Sequence, residues 1–162
     1  MNTHSFIHLK VHSAYSLSEG AVSVGQLIEF AKETQMPALA LTDTANLFGA
    51  MEFSQYAIKA GVQPIIGCKM WIQRPMAKES SAYGKKETPS FDELTLLAAK
   101  DEGYQNLMKI VSRAYLHQTS GQMVHTTFDD LSKDLTAGLM ALSGVQGGPG
   151  NLYMDPNGAG AY

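Results

Sequence analysis

The sequence predicts an α/β fold with parallel strands, and three observations predict it. Short apolar runs alternate with amphipathic helical patterns from residue 7 to residue 72, joined by turns that suit consecutive strand–helix–strand units. Ala38-Leu39-Ala40-Leu41-Thr42 is a continuous, largely apolar run, as expected of a strand covered on both faces. His12, Asp43 and Lys69 each fall near the carboxyl end of a different run, the edge where such folds keep their chemistry.

The bulk properties set bounds around that fold. The 162 residues, 44% hydrophobic and 17% charged, are enough for one soluble domain with a sizeable core. A net charge of −3 gives no basic footprint, so no direct grip on nucleic acid is expected of this chain. The single cysteine, Cys68, excludes an internal disulfide and suits a reducing cytoplasm. No apolar run approaches the roughly 18 residues of a membrane span, and Met1-Asn2-Thr3-His4 is not a signal peptide. A cytoplasmic protein without membrane contact is expected.

Taken in order, Ile7 to Ser13 reads as a first strand. Ile7, Leu9 and Val11 would face a core, and His8, Lys10 and His12 the other side. His8 and His12 lie about 13 Å apart along an extended strand and cannot share one ion. Lys10, between them, has no lone pair to offer a metal. A polar loop, Ser13 to Gly20, carries Glu19. Ser23 with Gln26 forms a capping box for a helix that stops before Pro37. After the Ala38 run, a second helix is expected from near Leu47 to Lys59, closed by Gly61. Pro64 to Ile72 is a third strand, in which Cys68, Met70 and Trp71 read as packing residues.

Residues 73–90 are expected to form an exposed polar loop, with Lys85-Lys86 solvated. Glu93 to Ala98 resumes as a strand, Asp101 caps the next helix, and Tyr104, Leu107, Met108, Val111 and Tyr115 share one of its faces. Thr127 to Asp130 offers another capping box, and Gly138 to Ser143 a fifth strand. Five strands do not close a standard eight-stranded barrel. The expected organisation is a domain over 1–144 and a loosely ordered Gly/Pro-rich tail over 145–162. His4, His117 and His125 lack partnered spacing and read as surface histidines, and His8 as structural.

The run His8-Leu9-Lys10-Val11-His12-Ser13-Ala14-Tyr15-Ser16-Leu17-Ser18-Glu19-Gly20 resembles the opening motif of the PHP (polymerase and histidinol phosphatase) domain. Met36 to Asp43, Asn46 to Gly49, Pro64 to Cys68, Gly103 to Met108 and Gly138 to Gly144 extend the resemblance over about residues 6–150. It is similar in particular to the version at the amino terminus of bacterial DNA polymerase III alpha subunits. The resemblance implies the N-terminal part of a distorted seven-stranded β/α barrel, whose mouth binds metal ions in active members and hydrolyses phosphoesters there.

Against that motif, His12, Glu19 and Asp43 remain as remnant metal-site positions. Lys10, Thr44, Lys69 and Glu93 stand where active members carry ligands. Lys10 and Lys69 are expected to neutralise Glu19 and Asp43 in a degenerate, metal-free site with no catalytic residue and no cofactor. The resemblance then implies a structural and interaction module of a replicase, serving the polymerase and its proofreading exonuclease subunit. The nucleotidyltransferase chemistry would be carried by residues outside this chain. The alternative is a surviving zinc- or manganese-dependent phosphoesterase, a 3′–5′ exonuclease or pyrophosphatase. A free-standing histidinol-phosphatase-like enzyme fits the second and third motifs poorly.

Overall fold

The computed structural model describes residues 6–74, 91–119, 121, 123–132 and 135–142. His4, the tail expected at 145–162, Lys85-Lys86 and nearly all of the 73–90 loop lie outside these residues. The described elements are helix α1 (Val24–Glu33), strand β1 (Ala38–Leu41), helix α2 (Ala50–Ala60) and strand β2 (Gln63–Gln73). They continue with strand β3 (Phe91–Ala98), helix α3 (Asp101–Leu116), strand β4 (His125–Thr127), helix α4 (Phe128–Ser132) and strand β5 (Leu139–Leu142).

The sequence signals for helix ends act as written. Ser23 and Gln26 form the reciprocal capping box of α1, satisfying backbone donors that the first turn leaves free. Gly61 closes α2 in the left-handed conformation, φ 76°, where a residue without Cβ is unstrained. Two starts differ from expectation. Helix α2 begins at Ala50 rather than near Leu47, and Lys100, not Asp101, is the N-cap of α3.

The fold is mixed α/β. The sheet runs β1-β2-β3-β5, with β4 added to β2. Parallel pairing holds between β1 and β2 and between β2 and β4. The β2–β3 and β3–β5 pairs are antiparallel, so the sheet is not parallel throughout. Strand β2 is its spine, with Ala38 to Leu41 of β1 opposite Gln63 to Ile66 and β3 opposite Gly67 to Gln73. Gln73, expected in the loop, ends this strand, and the guanidinium of Arg74 clamps the buried Asp92 carboxylate across the hairpin.

The expected first strand is a correction. Residues 7–13 run beside β1 without regular pairing, because the chain there carries one residue too many. Ala40 N–H donates to His8 O, but the next rung, from Thr42 N–H, reaches Val11 O rather than Lys10 O. The Thr42 hydroxyl fills the gap, accepting from Val11 N–H at 2.9 Å and donating to Val11 O at 3.0 Å. Such a bulge breaks the two-residue alternation. Ile7 and Leu9 are consequently exposed, not a wall of the core, while Val11 alone packs inward.

Two apolar clusters flank the spine. One joins α1, α2 and β1 through Val24, Ile28, Leu39, Leu41, Phe53 and Ala57. The other joins β2 and β3 to α3 through Met70, Ile72, Leu96, Leu107 and Ile110. Cys68 is fully buried in the second, its thiol pKa pushed up to about 12 by burial, so it serves as a small packing residue. Among the described residues no helix is long and apolar enough to cross a membrane.

Candidate functional site

Asp43 lies two residues beyond the end of β1 and is buried. It was expected to pair with a lysine, but serines hold it instead. Oδ1 accepts from Ser13 N–H at 2.7 Å and from Ser16 Oγ at 2.6 Å, and Oδ2 accepts from Ser13 Oγ at 2.8 Å. Both oxygens are therefore committed within the 13–16 turn. Ser13 and Ser16 were not singled out in the sequence. The available signal was two serines spaced by a turn immediately after His12.

The 13–20 loop closes back on itself where Gly20 lies against the Ser13 carbonyl, a place with no room for a Cβ. Ser18 before Glu19 and Ala45 after Thr44 both take positive φ, 66° and 52°, without being glycine. Backbone conformations of this kind persist where the surroundings fix them. Here they aim Glu19 and Thr44 at one another, and Thr44 Oγ1 donates to Glu19 Oε2 at 2.6 Å.

Lys69 enters from β2. A parallel bridge between Thr44 and Lys69, with Lys69 N–H donating to Asp43 O and Ala45 N–H to Lys69 O, fixes its backbone beside the Asp43 turn. Its side chain is only 6% exposed. The ammonium donates to Glu19 Oε2 at 2.8 Å, lies 3.9 Å from Glu93 Oε1, and stands 5.3 Å from the centre of the Trp71 ring. Glu93 in turn accepts from Lys10 Nζ at 3.1 Å. The result is an alternating chain of charges, Lys10–Glu93–Lys69–Glu19, with the sum of its formal charges zero.

Lys69 thus neutralises Glu19 as expected, but Lys10 meets Glu93 and not Glu19 or Asp43. The bulge before Val11 accounts for this, because it moves Lys10 off the expected row, leaving its side chain half exposed. His12 sits at the inner end of the chain. Its Nδ1 is 3.3 Å from Ser16 Oγ and 3.7 Å from Glu19 Oε2. Ser16 gives its own proton to Asp43, so the proton of the His12–Ser16 bond belongs to Nδ1.

Electrostatics follow from the geometry. Burial, and next the Lys69 charge, hold the His12 pKa below its usual value, against the opposing pull of Glu19 and Asp43. Burial would raise the Glu19 carboxyl, but hydrogen bonds from Lys69 and Thr44 and the Lys69 charge outweigh it and hold the group below the usual carboxylate range. Among the described residues, no group of three or more His, Cys, Asp or Glu is arranged to hold a metal ion. His8 stands apart and exposed, its ring edge against Phe6, and His117 is the exposed cap of α3. His125 is partly exposed beside Phe91, with Nδ1 2.8 Å from Met123 O.

The profile of the PHP domain family matches residues 8–160. The DNA polymerase III alpha subunit of Caulobacter vibrioides is 41% identical over 144 residues, 89% of this chain and 12% of that protein. That of Thermus aquaticus is 40% identical over 145 residues, 88% of this chain and 12% of that protein. The chain thus spans about an eighth of the length of these curated relatives. Among solved structures, an amidohydrolase from Chromobacterium violaceum superposes with a TM-score of 0.41 at 21% identity, covering 68% of this chain and 35% of that one.

Proposed function

The chain belongs to the PHP domain family, and from that premise we propose that it is a metal-free structural and interaction module of a replicative DNA polymerase. The relatives' name supports the polymerase part, since the matched region is homologous to DNA polymerase III alpha subunits over most of this chain. Nucleotidyl transfer is then the work of residues outside these 162, and the module's partners are the rest of a cytoplasmic replicase, including its proofreading exonuclease subunit.

One observation carries the metal-free part. The Lys69 ammonium, 2.8 Å from Glu19 and 3.9 Å from Glu93, stands where a cation would balance those carboxylates. The remaining donors do not fit a metal cluster. Asp43 already accepts three hydrogen bonds from Ser13 and Ser16, and the ammonium groups of Lys10 and Lys69 have no lone pairs. A divalent ion would have to displace a buried ammonium and accept its repulsion.

The test is metal content by mass spectrometry, on protein purified without chelators and then challenged with zinc and manganese. Occupancy far below one ion per chain is expected. Stoichiometric zinc or manganese would overturn the metal-free reading and favour the phosphoesterase. The partner is tested separately, by co-sedimentation of the purified chain with the exonuclease subunit of the same replicase.

A further inference from the structure

The margins of the sheet are protected unequally. Residues 7–11 run along the outer side of β1, where the bulge before Val11 and the half-exposed Lys10 side chain blunt the edge. Strand β4 is only three residues long and polar, His125-Thr126-Thr127. Strand β5, Leu139-Met140-Ala141-Leu142, has none of these devices, for no charge, proline or bulge interrupts it. Among the described residues β3 is its only pairing partner. Met140 is 54% exposed, and Ala141 is exposed beside it.

The phase of the ladder decides which backbone groups that edge offers. Ala99 N–H donates to Gly138 O, one step beyond the Ala98–Leu139 pair. Hydrogen-bonded pairs alternate along an antiparallel ladder, so Gly138, Met140 and Leu142 turn their backbone groups toward β3. Leu139 and Ala141 turn theirs outward. Leu139 N–H is taken by Thr136 O in the preceding turn. Of the four residues of β5, Ala141 alone therefore presents both a donor and an acceptor on the open edge.

Going beyond the interaction-module reading, and independent of it, we propose that β5 pairs antiparallel with β5 of a second copy of this chain, about a twofold axis at Ala141. The outward phase fixes that register. Ala141 N–H donates to Ala141 O of the second copy, and the same bond runs in return. Met140 then lies opposite Leu142 of the second copy, and Leu142 opposite its Met140, so two apolar pairs form on one face. Alanine, a small side chain, stands at the axis where like must meet like. The strand carries no charge, so none is set against its own kind, and a foreign strand finds no charge by which to be selected. A second copy supplies the matching pattern by symmetry. The contact uses up the bare edge on both copies while the other margins are blunted, so assembly stops at the dimer. Its small extent makes that dimer a weak one.

The experiment is sedimentation velocity of the 162-residue chain from about 10 μM to about 1 mM, the range in which a weak interface fills. The sedimentation coefficient is expected to climb with concentration and level off at the dimer. Ala141→Pro removes the outward donor and no hydrogen bond to β3, a substitution that an edge strand tolerates. It should weaken association at least about tenfold while the circular dichroism spectrum stays unchanged. Should that variant not fold, Met140→Lys, which changes only an exposed side chain, carries the same expectation. Met108→Lys, also exposed but on α3, should leave the dimer intact. A monomer throughout the range, growth beyond the dimer, or a dimer that Met140→Lys spares or Met108→Lys equally dissolves would overturn the proposal. Metal uptake would sink the metal-free reading and leave the β5 result standing.

Discussion

Lys69 is nearly buried yet faces two carboxylates and an indole, so its removal is the most informative single change. Lys69→Ala leaves Glu19 and Glu93 without their shared counter-charge. Breaking a buried pair costs about 3–5 kcal/mol. Glu19 is 35% exposed, so water screens it and about 1–2 kcal/mol is the expected loss here. The emptied position, lined by Glu19, Glu93 and His12, should then gain affinity for zinc. Zinc would raise the melting temperature of the variant and leave that of the parent unchanged. A variant that melts with the parent would mean that the ammonium stabilises nothing. Asp43→Asn tests the neighbouring serine cage. One carboxylate oxygen is replaced by an NH2 group, which faces the Ser13 hydroxyl in place of Oδ2, or Ser13 N–H and the Ser16 hydroxyl in place of Oδ1, at a cost of about 1–3 kcal/mol. Urea denaturation with an unmoved midpoint would show that these three hydrogen bonds contribute little.

At the scale of elements, α3 is positioned by a glycine pair. A Cβ on Gly103 would land on the Gly138 carbonyl, far inside van der Waals contact, and Gly138 itself holds φ 72°. Gly103→Ala must push α3 away from β5, at about 1–3 kcal/mol by the usual cost of overpacking. Hydrogen exchange should quicken in α3 and β5 before β1, and uniform exchange would argue that the contact is slack. The ends of α1 and α2 were legible because caps are local chemistry, a serine with a glutamine or a glycine past the last turn. The bulge at His8 to Val11 was not, because it rests on Thr42, thirty-one residues further along the chain, supplying a hydroxyl in place of a carbonyl. Antiparallel pairing of β2 with β3 was hidden for a related reason. A continuous apolar strand reads alike in either direction, and only the register, with Trp71 opposite Glu93, decides. Glu19, Lys69 and His12 could be named from the motif, but which lysine met which carboxylate depended on that bulge.

For the molecule as a whole, the charge chain spans the seam between the two apolar clusters. Glu19, Thr44 and His12 come from the side of α1, α2 and β1, and Lys69 and Glu93 from the side of α3 and β3. Proton linkage should therefore appear in global stability. The Glu19 pKa is held below its ordinary value of 4.5, so its contribution is present above that value and is lost as pH falls through the lower folded pKa. His12, also depressed, from 6.5, is favoured neutral in the folded protein. Its contribution is complete above pH 6.5 and declines below it. Both groups bind protons more readily in the unfolded chain, so the signs agree and acid destabilises. The melting temperature, followed by the single tryptophan, Trp71, should fall in two steps as pH is lowered from 7, one below pH 6.5 as His12 takes a proton and one below pH 4.5 as Glu19 does. Lys69→Met removes the charge that depresses Glu19, so its curve should start lower and fall less steeply below pH 4.5. If the curves of parent and variant run parallel across that range, the acid sensitivity arises elsewhere, and the seam is held by apolar packing alone.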